Sequence, residues 1–110
     1  MASPLPAANT IGFQGYLGRV LTFEWDEAKN AANLVKHGVT FEEASEIFSD
    51  PLSVTILDPE HSSEEDRFVT VGMSGTALLV VAIHTDRNGK IRIISARRAR
   101  PTERRNYESI

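Results

Sequence analysis

Apolar and polar positions fall into regular periods only from Thr22 onward. Thr22-Phe23-Glu24-Trp25 alternates and predicts a short strand. Asp26 follows as an N-cap, its carboxylate placed to accept from free amides of the next turn. Ala28, Ala31, Ala32 and Val35 recur at helical spacing, so the pattern predicts a helix over 26–37 with a narrow apolar stripe. Gly38 supplies a left-handed C-terminal cap, and Lys36 and His37 occupy the last turn, where cations suit the helix dipole. Thr40 and Glu43 stand at capping-box spacing and start a second helix. Its expected buried face is Phe41, Ala44, Ile47 and Phe48, and Asp50-Pro51 ends it.

The remainder reads as a β-meander. Residues 52–57 alternate, with Leu52, Val54 and Ile56 on one side and Ser53 and Thr55 on the other. Residues 58–66 form an acidic loop, 67–73 a strand, and Ser74-Gly75 a turn. Residues 77–85 (ALLVVAIHT) are apolar on both faces, which marks a central strand. Asn88-Gly89 is a hairpin signal leading into a strand over 90–98. Thr102 then caps a short helix to Ser109. The order β-α-α-β-β-β-β-α predicts an α+β fold, with helices segregated on a mostly antiparallel sheet.

Composition narrows the function. One domain is expected from 110 residues. The chain has no cysteine, which excludes disulfides, thiolate metal sites and thiol nucleophiles. No apolar run reaches the roughly 18 residues of a membrane span. The start lacks the basic flank and apolar segment of a signal peptide, so a cytoplasmic protein is expected. Residues 1–21, rich in Pro, Ala and Gly and without periodicity, read as a flexible extension, leaving 22–110 as the folded domain.

Charge changes the picture more. Residues 87–110 carry eight basic side chains against two acidic ones, or +6; residues 1–86 carry four against thirteen, or −9, which together give the net −3. Arg87, Lys90, Arg92, Arg97, Arg98, Arg100, Arg104 and Arg105 make up the cationic group, and arginine presents a donor fork suited to phosphate. A phosphate-rich ligand such as nucleic acid is one reading, and a solvated Arg/Glu face is the other. Strict alternation along 90–98 puts Ile91, Ile93, Ser95 and Arg97 on one face, and Arg92, Ile94, Ala96 and Arg98 on the other. Arg92 and Arg98 would then share the open face. His84, ending the central strand beside the Arg strand, is a candidate proton carrier, or alternatively a strand-end histidine bonded locally. Lys36 and His37 are either site residues or ordinary occupants of a helix C-terminus. No HxxH, HExxH or CxxC spacing and no glycine-rich phosphate loop occurs, so neither metal nor cofactor is expected.

These residues also assemble into a family pattern. Phe23-Glu24-Trp25-Asp26 with Lys29, and Asn33-Leu34-Val35-Lys36-His37-Gly38-Val39-Thr40-Phe41-Glu42-Glu43-Ala44, resemble the opening of the BrnT family. Phe48-Ser49-Asp50-Pro51, Arg67-Phe68-Val69-Thr70-Val71-Gly72, the run 92–99 (RIISARRA) and the run 103–108 (ERRNYE) continue the pattern in the family's order. The resemblance covers about residues 22–109 and leaves 1–21 without a counterpart. It implies a RelE-like ribonuclease fold and a toxin of a type II toxin–antitoxin module. Such a toxin cleaves RNA without a metal, inhibits translation, and is neutralised by a BrnA-like ribbon-helix-helix antitoxin through which the complex reaches operator DNA. It also implies Lys36, His37, Arg97 and Arg98 as site residues; His84 joins them on the strand argument alone, and Arg92, Arg100, Arg104 and Arg105 are the expected RNA contacts. A non-catalytic antitoxin-binding module is the alternative.

Overall fold

The computed structural model describes residues 20–62 and 65–109. The expected extension thus lies mostly outside the described residues. Leu21 packs against the core and the Thr22 carbonyl accepts from Ile91 N at 2.9 Å, which ties this part of the chain to the sheet.

The expected element order is present. Strand β1 (Phe23–Glu24) leads to helix α1 (Glu27–His37), then to α2 (Phe41–Ser45) and a 3-10 turn (Glu46–Ser49). Strands β2 (Val54–Leu57), β3 (Phe68–Met73), β4 (Leu79–Arg87) and β5 (Lys90–Arg98) follow, and α3 (Pro101–Glu108) closes the chain. They build one five-stranded sheet in the order β1-β5-β4-β3-β2. The pairings β2–β3, β3–β4 and β4–β5 are antiparallel, and β1 runs parallel to β5. The doubly apolar strand β4 is central, as its pattern requires.

Local chemistry explains the boundaries. Asp26 caps α1 by accepting from Lys29 N at 3.1 Å, and Gly38 ends it at φ 74°. Thr40 Oγ1 accepts from Glu43 N at 3.0 Å. Asn88 and Gly89 take φ of 55° and 77°, the double left-handed step of a tight hairpin. The last helix begins one residue earlier than expected. Pro101 has its φ preset for a first helical position, and Glu103, not Thr102, closes the entry by accepting from Arg100 N at 2.8 Å.

One face of the sheet carries the core. Val39, Phe41, Ala44, Ile47 and Phe48 pack on Val80, Ala82, Ile91, Ile93 and Ala96, with Phe23 and Trp25 set against Phe48 and Phe41. The buried face expected for α2 is therefore present.

Helix α1 departs from its expected orientation. Ala28, Ala31, Ala32 and Val35 face outward, Val35 at 89% exposure, and the residues turned inward are Asn30 and Asn33. Hydrogen bonding overrides apolar periodicity here. Asn30 accepts from Phe41 N at 2.8 Å and donates to Glu42 at 3.0 Å, while Asn33 bonds the backbone of β5 and the turn after α1. Open backbone groups demand polar partners, and asparagine offers both donor and acceptor in one short side chain.

The Arg strand departs too. Its register against β4 shifts between Ile83 and His84, which face Ser95 and Ile93, so Ile94 is an extra residue in a bulge. Past the bulge the two faces exchange. Ala96 returns to the core face opposite Ala82, Arg98 follows it opposite Val80, and Arg97 lies opposite Val81 on the other face. Arg92 and Arg98 therefore do not share a face.

Candidate active site

Asn33 ties the end of α1 to the end of β5, the two elements that carry Lys36, His37, Arg97 and Arg98. Asn33 Nδ2 donates to the Ala96 carbonyl and to the Val39 carbonyl, both at 2.8 Å, and Asn33 Oδ1 accepts from Ala96 N at 3.2 Å. Lys36 and His37 close α1 within about one turn of that contact, and Arg97 and Arg98 follow Ala96 directly. Lys36, His37 and Arg98 are exposed. Among the described residues none of these three forms an ion pair. The charges of Lys36 and Arg98 are thus available to an anion.

The other arginines divide by partner. Arg97 is tied by two parallel bonds to Glu103, at 2.8 and 2.7 Å, and donates also to the Arg98 carbonyl. The Arg97 hydrogen bond holds the Glu103 carboxyl down at about 2, well below the usual range. Arg97 consequently fastens α3 to β5. A second tie, from Tyr107 OH to Asp50 Oδ2, fastens the far end of α3, and Asp50 also accepts from Met73 N at 2.7 Å. Arg92 pairs with Glu24 at 3.3 Å and Arg104 with Glu108 at 3.2 Å. Arg100 and Arg105 are exposed on α3 and its entry and pair with no acid among the described residues. With Arg87 on Glu65, four of the eight basic side chains of 87–110 have an acidic partner; of the other four, Arg98, Arg100 and Arg105 lie between the end of β5 and α3, and Lys90 lies at the β4–β5 hairpin.

His84 does not join the group. It is 0% exposed, its Nε2 lies 2.7 Å from Thr70 Oγ1, and its ring stacks on Phe68 and meets Phe48 edge-on. Burial pushes its pKa down to about 3, so it stays neutral at physiological pH. A side chain sealed between two phenylalanines has no access to a ribose hydroxyl, and His84 is a core residue. The bland reading of a locally bonded strand histidine is the right one, because the strand's own alternation turns position 84 toward the helices.

His61 bonds Asp58 at 2.8 Å in the 3-10 turn Pro59–His61, where Asp58, Glu60 and His61 come close enough to share a cation. Two of these three residues are exposed, and the group lies in the acidic loop rather than beside the arginines.

Asn33 is the inward-facing residue of α1 that periodicity missed. The available signal was an asparagine inside a helix, a position its propensity disfavours unless the side chain has a partner.

Among the described residues the body is α+β, with a single mixed sheet, two helices on one face and a cationic end at the last strand, and this is the fold of a solved ribonuclease toxin. The sequence profile of BrnT, described as the ribonuclease toxin of a type II toxin–antitoxin system, matches residues 25–103. The chain belongs to the BrnT family. Its fold is similar to the crystal structure of the Brucella abortus ribonuclease toxin BrnT, with a TM-score of 0.54 and 23% identity over 74% of this chain and 99% of that one. No curated protein matches the chain in sequence. The family implies an antitoxin partner and an RNA target, and no helix among the described residues is long and apolar enough to cross a membrane.

Proposed function

We propose that this chain is a cytoplasmic endoribonuclease that cleaves RNA without a metal ion, inhibits translation, and is neutralised by a BrnA-like ribbon-helix-helix antitoxin. The observation that carries this reading is the match to a ribonuclease toxin family, and the Asn33–Ala96 contact supports it by joining the helix that ends in Lys36-His37 to the strand that ends in Arg98. Residues 1–21 are proposed as an extension that the activity does not need. Operator DNA is reached only through the antitoxin.

The chemistry follows from the side chains. His37 takes the proton of a ribose 2′-hydroxyl, and the oxygen attacks the adjacent phosphorus. The bond from phosphorus to the 5′-oxygen breaks as the new one forms, the leaving oxygen takes a proton from solvent and His37 returns its own to solvent, leaving a 2′,3′-cyclic phosphate and a 5′-hydroxyl. Lys36 and Arg98 face the charge that builds on the phosphoryl oxygens, where a fixed cation stabilises the transition state more than the ground state. RNA supplies the 2′-hydroxyl that DNA lacks. Arg100, Arg104 and Arg105 hold the phosphate backbone, which positions a strand without reading its bases. Arg97 and Arg92 support that surface through their acidic partners.

The same uncompensated surface suits an anionic antitoxin segment, which would mask the site. Tyr107 is committed internally to Asp50, so the apolar anchors of that interface lie elsewhere. Expression of residues 20–110 alone is expected to arrest growth and deplete intact RNA, with relief on co-expression of the partner gene. Normal growth at verified protein levels would favour an antitoxin-binding module without catalysis.

A further inference from the structure

We infer that Asn33 is a positioning residue of the ribonuclease site, setting the end of α1 against the end of β5. The inference rests on the reading above and adds a residue to it. Strand β1 pairs with β5 at Ile91 and Arg92, and among the described residues no strand lies beside the outer edge of β5 beyond the bulge. At Ala96 both the N–H and the carbonyl point to that open edge. Asn33 answers both groups with one amide, acting as a one-residue strand, and spends its second N–H on the Val39 carbonyl. Both donors of the side chain are then in use, and Asn33 is only 7% exposed.

Three features make this contact decisive for how Lys36 and His37 sit relative to Arg98. Apolar packing does not orient α1, because its alanines and Val35 face outward. The bulge at Ile94 puts Ala96 and Arg98 on the α1 side of the sheet, so the clasped residue and the free arginine share a face. Lys36 and His37 sit within one turn of Asn33, so a small roll of α1 moves both relative to Arg98. Asn30 gives a matched comparison on the same helix face. It is similarly buried and similarly bonded, but its partners are Phe41 N, Glu42 and Glu27, none of them on β5.

The test compares purified wild type, Asn33→Ala and Asn30→Ala by thermal melting and by steady-state cleavage of a defined single-stranded RNA. Both variants are expected to melt lower by similar amounts. Asn33→Ala alone should lose turnover per folded molecule, on the order of 100-fold at saturating RNA with KM changed little, because misplacing a reacting group costs rate more than binding. If Asn33→Ala does not fold, Asn33→Ser, which keeps a short hydroxyl toward Ala96, is expected to fold and to retain intermediate turnover. Equal turnover losses in the two alanine variants, full turnover in Asn33→Ala, or failure of both Asn33 variants to fold would each overturn the inference. Absence of cleavage by wild type would instead remove the ribonuclease reading, and this inference with it.

Discussion

Arg98→Ala is expected to slow RNA cleavage on the order of 100-fold while leaving the melting temperature within a few degrees of wild type. A single preorganised donor to a developing oxyanion contributes about 3 kcal/mol of barrier, which sets that magnitude. Arg98 is exposed and makes no ion pair among the described residues, so its loss leaves no buried acid without a partner. Arg97→Ala should behave differently. It strips Glu103 of a bidentate partner and frees one of the two ties on a helix with no buried residue. Its main effect should be a lower melting temperature and greater hydrogen exchange in α3. Cleavage rates measured beside circular-dichroism melts separate the two. Equal kinetic losses in both variants would place Arg97 in the site, and full activity in both would remove this strand from it.

The second large effect concerns acid stability. His84 titrates near 6.5 in the unfolded chain and near 3 when buried. As pH falls through that window the unfolded chain binds a proton that the folded protein refuses, and stability drops by about 1.4 kcal/mol per pH unit. Asp86 works against this. Burial, with Asp66 nearby, raises its pKa from 3.8 to about 6, so between those values the folded state gains a proton first and is stabilised as pH falls. Wild type should therefore lose stability near pH 6.5, change little down to about pH 4, and fall again below. In Asp86→Asn the counterweight is gone, and the decline from pH 6.5 to 3 should be continuous and amount to roughly 5 kcal/mol. Urea titrations of both proteins at half-unit pH steps read this directly. A level stability for Asp86→Asn between pH 6.5 and 4.5, above the range where the Glu103 pair responds, would contradict a neutral, sealed His84.

Much of the fold was legible because its signals are local. Asp26, Gly38, Thr40 and Asn88-Gly89 punctuate the chain by chemistry that acts within a few residues, and the two-sided apolar run over 77–85 identifies the central strand. Two non-local effects were invisible. Neither the bulge at Ile94 nor the exchange of faces it causes is written in the alternation of RIISARR, which reads as an uninterrupted strand. The inward turn of Asn30 and Asn33 depends on backbone groups of α2 and β5 that no spacing on α1 announces. The candidate site was partly legible for the same reason. Lys36, His37 and Arg98 are exposed chemistry at element ends, while His84 lay on a face whose burial only the assembled sheet decides.

The central claim is metal-free cleavage of RNA by the Lys36–His37–Arg98 group. Its most direct test is incubation of purified residues 20–110 with a defined RNA in excess EDTA, followed by end-group analysis of the fragments. Cleavage unaffected by chelator is expected, with 2′,3′-cyclic phosphate or the derived 3′-phosphate on one side and a 5′-hydroxyl on the other. Cleavage that stops with EDTA, resumes with a divalent cation and leaves 5′-phosphates would contradict it.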